Sequence, residues 1–353
     1  MPGSPPPSLS LIAERVDERL GDLLQVERDR WGALDPNLAN AIDEISRLVM
    51  SGGKRLRPAF CHWGYVGAGG GTEDQVDVNA GGALELMHAM ALFHDDVMDD
   101  AATRRGQVTT HTLASAEHAE KGWTGESRRF GEGVAILVGD LAFVYADQLL
   151  EGASIQATRI WNELRIELNI GQYLDILGSV RRERDLAKAE RISRYKSGKY
   201  TIERPLHLGA VLAAPDRADE LVPALSAYGL PLGDAFQMRD DVMGAFGETK
   251  DTGKPVGDDL REGKPTPLLA RATRAATPEQ RAVLDLVGDP SMTEQTVSNI
   301  QQVIVDTGAL DDLEAHIASL TKSAVASLAT APITDQAKTE LTSLAAYVSS
   351  RNV

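Results

Sequence analysis

Apolar residues recur at helical spacing along most of the chain, and the alternation typical of strands is scarce. The stretch Leu9 to Trp31 shows the pattern, since apolar residues stand at positions 9, 12, 16, 20 and 24. The same spacing predicts helices over 36–50, 77–100, 132–151, 155–177 and 221–246, and a series of Ala/Leu-rich helices after residue 265. We therefore predict an all-α fold.

The helix predicted over 77–100 leads from an apolar run, Ala83 to Phe93, straight into an acidic cluster. Four carboxylates follow within six residues, at Asp95, Asp96, Asp99 and Asp100. Residues four apart share a helix face, so the four would form two pairs of like charges, which destabilise a helix. A cation is therefore expected there, and a few carboxylates completed by water and phosphate are typical of Mg²⁺. The alternative is a solvated acidic end of a helix.

The helix predicted over 221–246 ends in a second acidic cluster, Gln237-Met238-Arg239-Asp240-Asp241-Val242-Met243-Gly244. Basic residues accompany glycines or hydroxyl groups at Gly52 to Pro58, Thr103 to Gly106, Lys196 to Lys199 and Gly247 to Lys264. Backbone N–H groups beside basic side chains form anion sites, and arginine suits bidentate phosphate binding. The alternative for the first patch is a positively charged turn. Gly198 lies inside a predicted helix, where glycine costs ~1 kcal/mol, so we expect a functional reason for a kink.

Taken together, these clusters predict a site for a lipid diphosphate. Two acidic helix ends would face each other across a cavity and hold metal ions between their carboxylates. The metal ions would bind a diphosphate, and the basic residues would bind its remaining oxygens. The apolar helix faces would line a deep pocket below.

The composition excludes several other classes of protein. A net charge of −16 and a pI near 4.9 argue against nucleic acid as a partner. The single cysteine, Cys61, rules out a disulfide within the chain and fits a reducing cytoplasm. The apolar runs are too short to span a bilayer. Residues 1–8 are rich in Pro and Ser without the apolar stretch of a signal peptide, so we expect a disordered tail before a single domain over 9–353.

The sequence resembles the trans-isoprenyl diphosphate synthases of the polyprenyl synthetase family. Within that family it is most similar to geranylgeranyl diphosphate synthases of the actinobacterial type. The resemblance covers nearly the whole chain and rests on Gly52-Gly53-Lys54-Arg55-Leu56-Arg57-Pro58, on Asp95-Asp96-x-x-Asp99 with Arg104-Arg105-Gly106, on Phe236-Gln237-x-x-Asp240-Asp241, and on the loop Gly253 to Lys264. It implies an isoprenoid-synthase-type helical bundle around a central cavity and a homodimer. It also implies two to three Mg²⁺ ions, for which Mn²⁺ is expected to substitute.

The resemblance also implies a role for individual residues. The metal ligands would be Asp95, Asp96, Asp99, Asp240 and Asp241. The allylic diphosphate would contact Arg104, Lys196, Ser197, Gln237 and Lys254, with help from Lys264. Isopentenyl diphosphate would contact Lys54, Arg57, His88 and Arg105. The residues expected to carry catalysis are Asp95, Asp96, Asp99, Arg104, Lys196, Asp240 and Lys254.

The implied reaction joins isopentenyl diphosphate head-to-tail to dimethylallyl, geranyl or farnesyl diphosphate. The allylic C–O bond ionises, the double bond of isopentenyl diphosphate attacks the resulting cation, and a proton is lost. Positive charge would stabilise the leaving diphosphate, and a dry pocket would protect the cation from water. The family pattern is incomplete at one position, because Gly244 stands where the second motif has its third aspartate. That change puts the contribution of position 244 in doubt and leaves the reaction itself in place.

Two other functions remain as alternatives. A non-catalytic partner subunit of a heteromeric prenyl synthase should lose the carboxylates or Lys54 and Arg57, and this chain keeps them. A class I terpene cyclase would carry an Asn/Ser/Glu metal motif in place of a second Asp pair. It also has no need of a second diphosphate site such as Gly52 to Pro58.

Residues just before the first acidic motif are expected to set the length of the product. By resemblance, the growing chain extends along this helix, and the positions four and five before Asp95 form its floor. These positions are Ala91 and Met90. One helical turn rises about 5.4 Å, roughly the length of an isoprene unit. Ala91 leaves the first turn open and the flexible Met90 partly yields, so we predict geranylgeranyl diphosphate (C20), with farnesyl (C15), C25 or longer polyprenyl products as alternatives.

Overall fold

The structure, a computed structural model, describes residues 5–247 and 256–350. Within these residues the regular structure is helical apart from one hairpin, in which β1 (Thr103–Arg104) pairs antiparallel with β2 (Gln107–Val108). The all-α prediction is therefore confirmed. None of the described helices has both the length and the apolar character that crossing a membrane requires.

The chain divides into two compact units. The N-terminal unit consists of Pro7–His62 and Gly71–Ala153, and the C-terminal unit consists mainly of Trp63–Gly70 and Ser154–Val353. The single domain predicted over 9–353 and the central cavity of the bundle both stay predictions.

Helix α4 is the central element of the N-terminal unit, whose helices are α1 (Pro7–Gly32), α2 (Pro36–Val49), the first part of α3 (Leu56–Gly67), α4 (Gln75–Met98), α5 (Thr110–Glu120) and α6 (Ser127–Leu149). Both α1 and α6 pack against α4. Every residue from Ala80 to Met87 is buried, and a Cβ added to Gly82 would lie 3.0 Å from Leu149 and 3.4 Å from Leu20. A helix covered on all sides has no polar face to show, which explains the continuous apolar run in the sequence.

The first helix begins earlier than the sequence pattern indicated. Pro7 and Ser8 already belong to α1, so the disordered tail predicted over 1–8 is too long by these two residues. Proline is well tolerated in the first turn of a helix, where its missing N–H would have no intrahelical partner. Residues 1–4 of the predicted tail lie outside the described residues.

Helix α10 is the central element of the C-terminal unit. The elements that follow residue 154 are α7 (Ile155–Val180), α8 (Leu186–Ser193), a π-helix (Arg194–Glu203), α9 (Arg204–Ala213), α10 (Ala218–Phe246), α11 (Asp258–Glu262), α12 (Pro267–Ala275), α13 (Pro278–Leu284), α14 (Glu294–Asp306), α15 (Ala309–Ser327) and α16 (Asp335–Ser349), with short 3₁₀ turns at Pro215–Arg217 and Leu328–Thr330. Helix α10 packs against the π-helix, α9, α15 and α16. Its C-terminal half joins a core of buried apolar residues contributed by α11 to α15.

The predicted irregularity at Gly198 is a π-helix packed directly against two other helices. A Cβ added to Gly198 would lie 2.9 Å from the carbonyl carbon of Gly233 on α10. A Cβ added to Gly171 on α7 would lie 2.6 Å from the Cα of Lys196. Only glycine permits such close approach of backbones, and π-helical turns occur frequently at functional sites.

Candidate active site

The first acidic motif ends helix α4 in a compact cap. The helix stops at Met98, and Asp100 adopts a left-handed conformation with φ of 52°. The N–H of Ala101 donates to the carbonyl of Asp96 at 2.9 Å, and the N–H of Asp100 donates to the carbonyl of Val97. This is the hydrogen-bond pattern of a Schellman cap, with aspartate where glycine is usual.

The cap corrects one pairing predicted from the sequence. Asp100 has left the helix, so Asp96 and Asp100 do not share a helix face as a regular helix to residue 100 would require. Asp99 keeps a right-handed conformation and its N–H donates to the carbonyl of Asp95 at 2.8 Å. The relation of Asp95 to Asp99 that the sequence predicted is therefore retained.

Arg104 supplies a positive charge directly beside the first motif. Its Nε donates to Asp96 Oδ1 at 2.6 Å, and its Nη2 lies 3.4 Å from Asp95 Oδ2. Burial raises the pKa of Asp96, and Arg104 opposes that rise. The hairpin positions Arg104 because its two turn residues, Arg105 and Gly106, have φ of 51° and 73°, as a tight type I′ turn requires.

Four arginines of the N-terminal unit act electrostatically on His88. Burial lowers the pKa of His88 well below its ordinary value, and the charges of Arg57, Arg105, Arg104 and Arg55 lower it further. Burial and three of these neighbours, Arg55, Arg104 and Arg57, also lower the pKa of Arg105. Guanidinium groups that repel one another at close range favour an anion between them. The structure thus brings together three of the four residues predicted to bind isopentenyl diphosphate, Arg57, His88 and Arg105.

The fourth of these residues, Lys54, is exposed beside a rigidly held neighbour. Arg55 is buried and donates to Asp17 at 2.8 Å, to Glu85 at 2.6 Å and to the carbonyl of Val49 at 2.6 Å. It also adopts a positive φ of 47°, a conformation that costs energy for a residue with a Cβ. Sequence reasoning gave Arg55 no role, and its contacts indicate that it anchors the loop that presents Lys54 and Arg57.

The second acidic motif lies near the end of α10 in the C-terminal unit. Asp241 is only 5% exposed, and its Oδ1 accepts a hydrogen bond from Gln237 at 3.0 Å. Its Oδ2 has no hydrogen-bond partner among the described residues. Burial raises the pKa of Asp241 well above its ordinary value, and the charges of Asp259 and Asp240 raise it further. A buried carboxylate with an unsatisfied oxygen and two acidic neighbours is suited to binding a hard cation.

The loop after α10 adds residues to this cluster. Lys264 lies 3.3 Å from Asp259 Oδ1 and also pairs with Glu262. Lys264 therefore pairs with acidic residues of this loop, and its predicted contact with the diphosphate stays a prediction. Lys254 was predicted to contact the allylic diphosphate, but it lies outside the described residues.

The π-helix carries Lys196 and Ser197 and is held by a buried charged network. Lys196 Nζ lies 2.5 Å from Asp175 on α7. The network members are Glu167, Lys199, Glu203, Arg204, His207 and Ser226. The sequence gave no local signal for this network, because its members come from four separate elements.

The residues predicted to set the product length lie in the C-terminal half of α4. Met90 is 7% exposed and Ala91 is half-buried, with the fully buried Met87 one turn deeper. Their position along the helix, one turn before Asp95, is as the sequence predicted. Whether they limit the product stays a prediction.

The predicted metal ligands do not form a closed coordination shell. Within residues 5–247 and 256–350, no three acidic, histidine or cysteine side chains converge as the ligands of one ion. In the first motif, Arg104 draws the side chains of Asp95 and Asp96 towards itself. The oxygen-only donors and the unsatisfied Asp241 Oδ2 nevertheless fit Mg²⁺.

Comparison with known proteins identifies the family. Residues 39–304 match the model of the family described as Polyprenyl synthetase. The chain belongs to the polyprenyl synthetase family. The geranylfarnesyl diphosphate synthase of Aeropyrum pernix is 31% identical over 338 residues, covering 93% of this chain and 96% of the relative. The geranylgeranyl diphosphate synthase of Mycobacterium tuberculosis is 33% identical over 270 residues, covering 75% of this chain and 68% of the relative.

Solved structures agree with this assignment. The crystal structure of geranylgeranyl pyrophosphate synthase from Corynebacterium glutamicum, complexed with isoprenyl diphosphate and magnesium, superposes with a TM-score of 0.90. It is 35% identical and covers 98% of this chain and 99% of that chain. The chain is therefore an isoprenyl diphosphate synthase, a prenyltransferase, with the fold of this family. The enzyme class predicted from the motifs is confirmed.

Proposed function

We propose that this prenyltransferase elongates an allylic diphosphate with isopentenyl diphosphate to give geranylgeranyl diphosphate, using Mg²⁺. The observation that carries the proposal is the pair of clusters within the N-terminal unit, where carboxylates at the end of α4 adjoin a group of arginines that act electrostatically on His88. Several relatives have geranylgeranyl diphosphate synthase as their name. Others are named for geranylfarnesyl, octaprenyl or nonaprenyl products, so the product length rests on Met90 and Ala91.

Isopentenyl diphosphate would bind where cationic side chains gather. Arg57 and Arg105 would donate to its diphosphate, and Lys54 would add a third positive charge. His88 would be neutral near pH 7, because burial and the charges of the arginines lower its pKa. A neutral imidazole donates one hydrogen bond, so His88 would orient the diphosphate without serving as an acid.

The allylic diphosphate would bind through the acidic motifs and the π-helix. Asp95, Asp96, Asp99, Asp240 and Asp241 would hold two to three Mg²⁺ ions, for which Mn²⁺ would substitute. When bound, the ions supply positive charge that neutralises the leaving diphosphate. The chain's own cations for the same diphosphate would be Arg104, Lys196, Lys254 and Lys264, with hydrogen bonds from Ser197 and Gln237.

The C–C bond would form without a nucleophilic side chain. Cys61 is fully buried, and burial raises the pKa of its thiol well above the ordinary value. It is therefore an inert core residue. The proton released after attack would pass to the departing diphosphate, which is the strongest base expected beside the new bond. The buried apolar side chains of α4 would keep water from the cation.

We also propose a homodimer, in the cytoplasm. Apolar side chains remain exposed on α6, where Ile136, Leu137 and Val144 are 43%, 69% and 56% exposed. Leu137 and Val144 lie two helical turns apart and share a face of α6, and exposed apolar residues on one face are typical of an interface between subunits. In the proposed dimer a second copy would cover these residues, so Leu137→Glu should shift the mass measured by light scattering from two chains to one. The location is supported by the single cysteine, which fits a reducing compartment.

The test of the proposed function is turnover with radiolabelled isopentenyl diphosphate and each of dimethylallyl, geranyl and farnesyl diphosphate. We expect incorporation that stops with EDTA, returns with excess Mg²⁺, and gives a principal C20 product by chromatography. Asp22→Asn, an exposed change on α1, is the matched control for Asp95→Asn in the first motif. A principal product other than C20 would refute the length assignment, and absence of incorporation with every primer would refute the function.

A further inference from the structure

The π-helix crosses α10 at a contact between two glycines. A Cβ added to Gly198 would lie 2.9 Å from the carbonyl carbon of Gly233, and a Cβ added to Gly233 would lie 2.6 Å from the carbonyl oxygen of Gly198. The atoms in contact belong to the backbone, so they cannot move aside as the end of a side chain can. Two glycines bring backbones close but offer no side chains that interlock. The orientation of one helix on the other therefore depends on the residues beside the crossing.

A bidentate ion pair lies directly beside this crossing. Asp234 follows Gly233 on α10, and Arg194 is the first residue of the π-helix. Arg194 Nε donates to Asp234 Oδ1 at 3.0 Å, and Arg194 Nη2 donates to Asp234 Oδ2 at 2.5 Å. Asp234 is only 8% exposed. Two parallel hydrogen bonds to a buried carboxylate restrict the angle between the two groups as well as their distance.

Each end of the ion pair belongs to an element that carries residues proposed to bind the allylic diphosphate. Arg194 stands two residues before Lys196 on the π-helix. Asp234 stands three residues before Gln237 and seven before Asp241, so these three residues share one face of α10. The ion pair therefore joins two parts of the C-terminal unit that would bind one diphosphate.

We propose that Arg194 and Asp234 are positioning residues that set where Lys196 stands relative to the second acidic motif. This inference rests on the proposed function, because it takes Lys196 and that motif to bind the same allylic diphosphate. Neither Arg194 nor Asp234 belongs to the acidic motifs or to the basic residues that the sequence pointed to. The residues proposed to bind isopentenyl diphosphate lie in the N-terminal unit, so binding of that substrate serves as an internal reference.

Steady-state kinetics and melting temperatures of a single and a double variant separate positioning from a purely structural role. Arg194→Gln leaves the buried carboxylate of Asp234 without its guanidinium, so it should lower the melting temperature. It should also raise KM for geranyl diphosphate by about tenfold or more, because Lys196 is displaced. In R194Q/D234N the unpaired charge is gone, so the melting temperature should recover towards wild type. The raised KM should remain, because two amides do not rebuild the bidentate pair.

Three comparisons test how the ion pair acts. KM for isopentenyl diphosphate should change less than about twofold in both variants. Arg191→Gln, an exposed change on α8 three residues before Arg194, is the matched control and should leave both KM values within about twofold of wild type. Lys196→Gln should itself raise KM for geranyl diphosphate. Adding Arg194→Gln to that variant should then change this KM less than about threefold, because the two substitutions act on one contact.

Two results would overturn the proposal. The first is an Arg194→Gln protein with the KM of wild type for geranyl diphosphate. The second is a double variant in which this KM recovers together with the melting temperature, since the ion pair would then only support the fold. The double variant decides the matter if Arg194→Gln does not fold.

A binding measurement keeps this test independent of turnover. It records the concentration of inorganic diphosphate that gives half of the maximal rise in melting temperature with excess Mg²⁺. R194Q/D234N should need about tenfold more diphosphate than wild type, and an equal requirement would refute the positioning role. Absence of incorporation by wild type with every primer would refute the proposed function, while this binding comparison would still decide the role of Arg194 and Asp234.

Discussion

His207 should make the folded protein less stable as the pH falls below neutrality. It lies on α9 within the charged network that holds the π-helix, and it is fully buried. Burial, followed by the charges of Arg204 and Lys199, lowers its pKa from 6.5 to about 3. Its neutral ring fits its contacts, since Nδ1 lies 3.4 Å from an Arg204 N–H donor and Nε2 lies 3.1 Å from Ser226 Oγ.

The sign and size of the effect follow from proton linkage. The pKa is lower in the folded state, so the unfolded chain binds the proton first as pH falls through 6.5. The contribution of His207 to stability is complete above that pH and is lost progressively down to about pH 3. Each pH unit in this window costs about 1.4 kcal/mol. Between pH 7.5 and pH 5, His207 should therefore remove about 2 kcal/mol from the free energy of unfolding.

Urea denaturation followed by circular dichroism at pH 7.5 and pH 5 measures this loss. His207→Gln retains polar atoms but cannot titrate, so its loss between the two pH values should be smaller than that of wild type by about 2 kcal/mol. The raised pKa values of Asp96 and Asp241 act in the opposite direction. They are present in both proteins and cancel in the difference.

His316→Gln, in half-buried surroundings on α15, controls for the removal of a histidine elsewhere in the C-terminal unit. Equal losses for wild type and His207→Gln would refute the reasoning, because His207 would then accept its proton at no cost to the fold.

The remaining predictions concern the active site. Asp95→Asn should lower turnover by orders of magnitude while circular dichroism and melting temperature stay near wild type; near-normal turnover would contradict the metal assignment. Arg57→Gln should raise KM for isopentenyl diphosphate by about tenfold or more, from a lost charge-assisted hydrogen bond of about 1.5–3 kcal/mol, with a smaller change for the allylic primer. Equal changes in both KM values would mean that the two diphosphate sites are exchanged. Ala91→Phe should shorten the principal product by at least one isoprene unit and Met90→Ala should lengthen it, as sized by chromatography; two unchanged product distributions would place the floor of the pocket elsewhere.

The sequence was informative wherever the chemistry of the site is local. The run from Asp95 to Asp99, the pair Arg104-Arg105 and the pair Asp240-Asp241 each lie within one turn of helix or one hairpin. Spacing alone therefore predicts which side chains are neighbours. Periodicity predicted the long helices for the same reason, since a helix that buries one or more faces repeats its apolar residues every three to four positions.

The end of α4 shows where local reasoning failed. Periodicity continues the helix to Asp100, but the chain turns there, with Asp100 in a left-handed conformation. Aspartate tolerates that conformation better than most residues, and no glycine marks the boundary. The hydroxyl of Thr109, which follows the hairpin, also donates to the carbonyl of Ala101 at 2.8 Å, and that contact depends on how the chain folds back.

Long-range pairings were decided by tertiary structure. Arg55 pairs with Asp17 and Glu85, which are 38 and 30 residues away, and Arg204 pairs with Glu167, 37 residues away. Nothing in the local sequence distinguishes these charges from exposed ones, because their burial depends on which helices pack together. The sequence by itself determined the helices, the two acidic motifs and the reaction class. Only the tertiary structure decided that Arg104 faces Asp96, that a charged network holds the π-helix, and that Arg194 pairs with Asp234 on α10, because each depends on the approach of segments that are separate in the chain.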